Sequence, residues 1–163
     1  MLFRSSEICQ AFFVYSGLAA SGNLVSASNF YVVCFCCFPL SQECVFKKAS
    51  DNTALRVHWA GDFRIYNCDN CCSRWYFTFN GAECSAPAAI DGVIYMRYGT
   101  GSKLKNLHRP RYIEGVCEKL RKGSVRVGFW VGRCSGYGSV VDAYTGWNSV
   151  SRIYVEEIPP PQA

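Results

Sequence analysis

At 163 residues, half of them apolar and 18% charged, the chain excludes wholesale disorder and is short for two full domains. The formal net charge is +5, and residues 1–43 hold only Arg4 against Glu7 and Glu43, so the positive excess lies after Glu43. Eleven cysteines exceed the usage of a compartment that keeps thiols reduced, and the odd number leaves at least one outside any set of intrachain bridges.

In chain order, Arg4 precedes the apolar run Ala11–Ala20, which ends in small residues like the cleavage region of a secretory leader. Glu7 and Gln10 interrupt that pattern, so residues 1–42 read either as a segment with a signal peptide or as a buried segment. A second run, Phe30–Leu40, has 11 residues, against the roughly 20 that a spanning helix needs. No stable membrane span is expected.

From Glu43 onward the pattern is that of strands. Ala54–Trp59 and Phe63–Tyr66 flank Gly61-Asp62 and read as a hairpin. Arg74–Asn80 alternates Trp75, Phe77 and Phe79 with Tyr76 and Thr78, then meets the turn signal Asn80-Gly81. Ile90–Tyr98 is the next strand. Ser124–Gly132 sets Val125, Val127, Phe129 and Val131 on one face and Arg126, Gly128 and Trp130 on the other. Ser149–Ile158 is the last strand, ended by Pro159-Pro160-Pro161. Only Glu114–Lys122 has room for a helical turn, and Gly115 and Gly123 argue against it. The expected fold is all-β, an antiparallel jelly roll or β-sandwich over residues 43–158, with a Pro-rich tail at 159–163. Trp75, Phe77, Phe79, Phe129 and Trp130 are its expected core, while Tyr137, Tyr144 and Trp147 read as loop or subunit-contact residues.

Seven cysteines fall in this region: Cys44, Cys68, Cys71, Cys72, Cys84, Cys117 and Cys134. Three disulfides with one left over is the expected use, stapling the domain, with the connectivity open. Cys71 and Cys72, being adjacent, are expected to pair elsewhere than with each other, and the odd cysteine to join two subunits or pair with Cys34, Cys36 or Cys37. A competing metal reading uses the two-residue gap of Cys68 and Cys71 with Cys117 and Cys134, but the 16-residue gap of the second pair is no knuckle. A thiol-oxidoreductase reading of Cys68-x-x-Cys71 lacks the βαβ unit such sites use. His58 and His108 are the only histidines, and neither has a nucleophile and an orienting acid set around it in sequence. No metal, cofactor or catalysis is expected.

The strongest binding signal is charge. Between Arg97 and Arg126 nine Lys or Arg residues face only Glu114 and Glu118. Within this segment Lys103, Lys105, His108, Arg109 and Arg111 form a Gly- and Pro-punctuated basic loop. It suits a polyanion such as heparan sulfate, or an acidic receptor surface. In a secreted protein, nucleic acid is not the expected partner.

The string Arg74-Trp-Tyr-Phe-Thr-Phe-Asn-Gly-Ala-Glu-Cys84 resembles the C-terminal domain of the collagen triple helix repeat-containing protein family, and so does Thr145-Gly-Trp-Asn-Ser-Val-Ser-Arg-Ile153. Ala54–Val57, Glu114–Cys117 and Trp130–Cys134 are weaker echoes in the same order, so the resemblance spans about Glu43 to Ile158. It implies a secreted, matrix-associated, noncatalytic module with a head similar to the jelly rolls of complement and tumour-necrosis-factor-like trimers. It also implies a homotrimer and partners of the Wnt and Frizzled type, with a role in planar-cell-polarity signalling, or assembly on collagen. Two departures stand out: no Gly-X-Y run occurs in residues 1–43, and the chain has no Asn-X-Ser/Thr sequon.

Overall fold

Alternate residues along nearly every strand are apolar, and a computed structural model shows what that alternation builds. It describes residues 6–12, 42–66, 68–97, 106–137, 142–145 and 149–159. The strands are β1 (Ser6–Phe12), β2 (Gln42–Lys48), β3 (Ala54–Tyr66), β4 (Cys71–Phe79), β5 (Ala82–Glu83), β6 (Asp91–Met96), β7 (Asn106–Cys117), β8 (Gly123–Arg133), β9 (Asp142–Thr145) and β10 (Val150–Ile158). One antiparallel sheet runs β1-β10-β3-β7, with β9 continuing beside β3; the other runs β2-β8-β4, with β5 and β6 both beside β4. Setting aside the short β5 and β9, this interleaving of chain-order neighbours between two sheets is that of a jelly roll. β1 comes from the N-terminal segment and pairs along β10, from Ser6 opposite Glu156 to Phe12 opposite Val150.

The expected hairpin around Gly61-Asp62 is instead one strand. β3 passes straight through Gly61, pairing with β7 along its whole length, from Leu55 opposite Cys117 to Tyr66 opposite Asn106. The glycine is needed for space rather than for a turn. A Cβ there would lie 2.7 Å from the Trp59 ring and 2.5 Å from Ser151 Oγ. The gap lets Trp59 fold along its own strand onto Phe63, with ring centroids 4.4 Å apart. The Asn80-Gly81 signal does close a turn, with φ of 54° and 88° at the two residues. Glu114–Cys117 belongs to β7, and no helix occurs among the described residues.

The inner faces meet in an aromatic stack that crosses between the sheets. Phe63 of β3 stacks on Trp75 of β4 at 4.1 Å, and Trp59 stacks on Phe129 of β8 at 4.9 Å. All four rings are buried, and each such ring contributes packing and burial that its loss would reverse. Trp130 departs from the expected core: it stands half-buried on the outer face of β8. The Trp75 Nε1–H donates to Thr145 Oγ1 at 2.9 Å, a buried hydrogen bond from one sheet to the other. Thr145→Val keeps the shape and removes the acceptor. It is expected to cost about 1–3 kcal/mol, read as a lower urea midpoint at unchanged slope.

A lysine occupies an inner position at one end of the sandwich. On β2, Cys44, Phe46 and Lys48 all face inward, and the Lys48 side chain is fully buried at the end of the sandwich. Its Nζ donates to Thr53 Oγ1 at 2.7 Å and to the Ser50 carbonyl, and lies 3.8 Å from Glu157 of β10. The Glu157 carboxylate accepts from the Ala49 and Ser50 amides at 2.8 and 3.0 Å and from the Thr53 hydroxyl. Lys48 and Glu157 thus tie the β2–β3 turn to the last strand.

Candidate functional site

The basic segment is where sequence reading and structure differ most. The expected loop is the first half of β7, an edge strand. Pro110 fits there because an edge strand has one side with no ladder to serve, so a missing N–H is tolerated. Strand alternation then divides the cluster. Arg109 and Arg111 share one side of β7, opposite Phe63 and Gly61 in register, and both are exposed. Two strand positions apart, they are separated by roughly 7 Å. His108 is on the other side, its Nδ1 3.2 Å from Asp62 Oδ2. Lys103 and Lys105 lie outside the described residues, so the pair brought together is Arg109 and Arg111.

The outer face of the first sheet carries a feature that sequence reading missed. His58 of β3 sits between two tyrosines, stacked on Tyr154 at 4.2 Å and tilted against Tyr112 at 4.9 Å. Register places it opposite Tyr154 on β10 and Glu114 on β7. Burial lowers the imidazole's pKa; the Glu114 charge opposes that shift and Arg56 adds to it. Beside this stripe the Tyr112 hydroxyl donates to Glu114, and Arg56 forms an ion pair with the same carboxylate. The Tyr112 hydrogen bond and the Arg56 pairing outweigh partial burial and hold the Glu114 carboxyl below its ordinary range. Tyr112 itself is 54% exposed. The signal was available: Leu55, Val57 and Trp59 face inward, so Arg56 and His58 must face out.

Of the residues expected in loops or subunit contacts, Tyr137 follows the turn after β8 and Tyr144 lies on β9. Tyr137 packs its edge on Tyr95 at 5.7 Å, and Tyr144 has the Arg64 guanidinium 5.0 Å from its ring centre. Arg64 also lies 4.8 Å from the Tyr66 ring centre and donates to Asn106 Oδ1 at 2.9 Å. Trp147 lies outside the described residues.

Six of the seven cysteines form bridges: Cys68 with Cys71, Cys72 with Cys134, and Cys84 with Cys117. Cys44 is buried on the inner face of β2, which does not suit a bridge between subunits. The four thiols of the metal reading are divided among these three bridges. The Cys68–Cys71 pair closes the corner before β4, at the start of a strand, so no helix dipole acts on it. The Cys84–Cys117 bridge joins the end of β5 in one sheet to the end of β7 in the other.

Among known families, the model described as CTHRC1, C-terminal domain, matches residues 39–155, well over half of the chain.

Proposed function

The chain belongs to the family of CTHRC1 C-terminal domains, and on that premise we propose that it is an extracellular, noncatalytic recognition module of the matrix. Its partners are of the Wnt and Frizzled type, and it biases Wnt signalling toward planar cell polarity. Family membership carries this reading. The three disulfides support the extracellular setting, because such bridges persist where thiols are oxidised. The domain works as a homotrimer, whose several heads give avidity beyond one weak contact. The Tyr112–His58–Tyr154 stripe suits the contact between copies, being aromatic, flat and on a regular sheet face.

A second reading, a matrix domain that coats collagen or heparan sulfate without signalling, is favoured by the exposed pair Arg109 and Arg111. One experiment separates the two: binding of the purified chain to an immobilised Frizzled ectodomain, to heparin and to collagen, with sedimentation of the same preparation. Saturable Frizzled binding that survives Arg109→Ala/Arg111→Ala is the result expected of the signalling module. Retention on heparin or collagen alone, with heparin elution moved to lower salt by the double variant, would replace it with the matrix reading.

A further inference from the structure

The outer face of the second sheet holds an arrangement that neither the family reading nor the basic segment uses. β8 is a central strand, yet its outward positions read Gly128, Trp130, Gly132. Glycine inside a central strand costs stability and marks a close approach. Here the approach is by rings. A Cβ on Gly128 would lie 2.6 Å from Trp130 Nε1, so the indole lies flat along the backbone, and its N–H donates to Thr78 Oγ1 at 2.7 Å. Tyr76, directly opposite Trp130 in register, comes within 3.6 Å of where a Gly132 Cβ would stand. The result is a flat indole platform, locked from below and half-buried, with the Tyr76 ring extending away from it toward Gly132.

Polar groups of both signs flank the platform. On one side the Arg74 guanidinium stacks over the Tyr76 ring, 4.7 Å from its centre, and is held by Glu83 and Asp91. On the other side Arg126 is 3.7 Å from Glu43, which stands opposite Gly128. Beyond Arg74 a cleft of about 640 Å³ opens, lined by Arg74, Arg133, Cys134, Ser135, Gly136 and Tyr137. That volume lies within the range of small-ligand sites, about 300–1,000 Å³. Arg74 is matched by both Glu83 and Asp91, and together with Arg133 these make two charges of each sign, so the region presents donors and acceptors together without a net field to draw a polyanion. Flat rings, paired charges and an adjoining cleft fit a ligand with an apolar C–H face and a rim of hydroxyls.

We propose that this face is a saccharide-binding site for a neutral pyranose oligosaccharide. One ring stacks on Trp130. Its hydroxyls exchange hydrogen bonds with the Arg126–Glu43 and Arg74–Asp91 pairs, and the next ring enters the cleft beside Ser135. The site is separate from Arg109 and Arg111, which lie on the other sheet.

Saturation-transfer NMR and titration of the intact chain with chitotriose, cellotriose, mannotriose and a heparin hexasaccharide test it. At least one neutral trisaccharide is expected to bind, with affinity unchanged between about 0.15 and 1 M salt. Binding is expected to weaken about tenfold or more in Trp130→Ala and to be largely kept in Trp130→Phe. Gly128→Ala tilts the indole without removing it and is expected to weaken binding likewise, which covers the case of a Trp130→Ala chain that fails to fold. Arg109→Ala/Arg111→Ala leaves it unchanged. The proposal is overturned by no binding of any neutral trisaccharide, by binding indifferent to both Trp130→Ala and Gly128→Ala, or by binding of the heparin fragment alone. Loss of Frizzled binding in Trp130→Ala without saccharide binding would overturn it too, making the face a protein contact.

Discussion

Lys48→Met is expected to lower the unfolding free energy by about 3–5 kcal/mol, the usual effect of removing one partner of a buried ion pair. The lysine side chain is fully buried and the Glu157 side chain 7% exposed, so solvent does little to screen the loss. The variant leaves the carboxylate in place without its cation. Urea unfolding at neutral pH measures the change, and Lys48→Met/Glu157→Leu, which removes both charges, is expected to recover much of it. A Lys48→Met midpoint close to that of the parent chain would show that the pair contributes nothing net.

The same pair gives a pH signature. Burial by itself raises the Glu157 carboxyl pKa, but hydrogen bonds from Thr53, Ala49 and Ser50 and the Lys48 charge together bring it below the ordinary value. The folded state therefore binds this proton less readily than the unfolded chain. The contribution is present above the unfolded carboxylate pKa, about 4.3, and is lost as pH falls through the lower folded value. In Lys48→Met the folded value rises toward or past the unfolded one, so acidification from about pH 7 to about pH 3 is expected to remove less stability than in the parent chain, read as the change in urea midpoint between the two pH values.

Removing the Cys84–Cys117 bridge by Cys84→Ala/Cys117→Ala is expected to cost about 4 kcal/mol, and removing Cys68–Cys71 only about 1.5 kcal/mol. The difference comes from loop closure in the unfolded chain: the first bridge closes a separation of 33 residues and the second a separation of 3. The first also spans the two sheets, with both cysteines buried. Thermal unfolding of the two double variants, under identical oxidising conditions, gives the order directly. Equal losses would show that native packing around the sulfurs, rather than chain entropy, sets their value.

What the sequence made legible was period. β4, β6, β8 and β10 were readable from alternation, and the jelly-roll class followed from strand number and turn spacing. Alternation also held the answer where the reading failed at Gly61. Leu55, Val57, Trp59, Gly61, Phe63 and Ile65 keep one unbroken parity, which a hairpin would have reset. The turn chemistry of Gly-Asp outweighed that parity because a glycine kept for a neighbouring ring looks the same in sequence as one kept for a bend. The basic segment failed for a related reason. Pro110 was read as loop punctuation, whereas an edge strand accepts it, and the strand then placed His108 opposite in direction to Arg109 and Arg111. Lys48 was out of reach of local reading because its partner Glu157 is the better part of the chain away. The outer platform was half visible: Gly128 and Trp130 were set on the face opposite Val125, Val127, Phe129 and Val131, yet Trp130 was expected in the core, and the flatness of the ring depends on Thr78 across the strand.

The long unbroken β3 has a consequence for the order in which the molecule matures. Its neighbours come late from the ribosome: β7 about two-thirds of the way along the chain, β9 and β10 only near the end. Until Ile158 emerges, one whole edge of the most apolar strand has no ladder, and pairings this distant form slowly. The bridges meanwhile become possible in sequence, Cys68–Cys71 first, then Cys84–Cys117, then Cys72–Cys134. Folding of this domain under oxidising conditions is thus a race in which disulfides can fix the second sheet while the first still waits for its last strand.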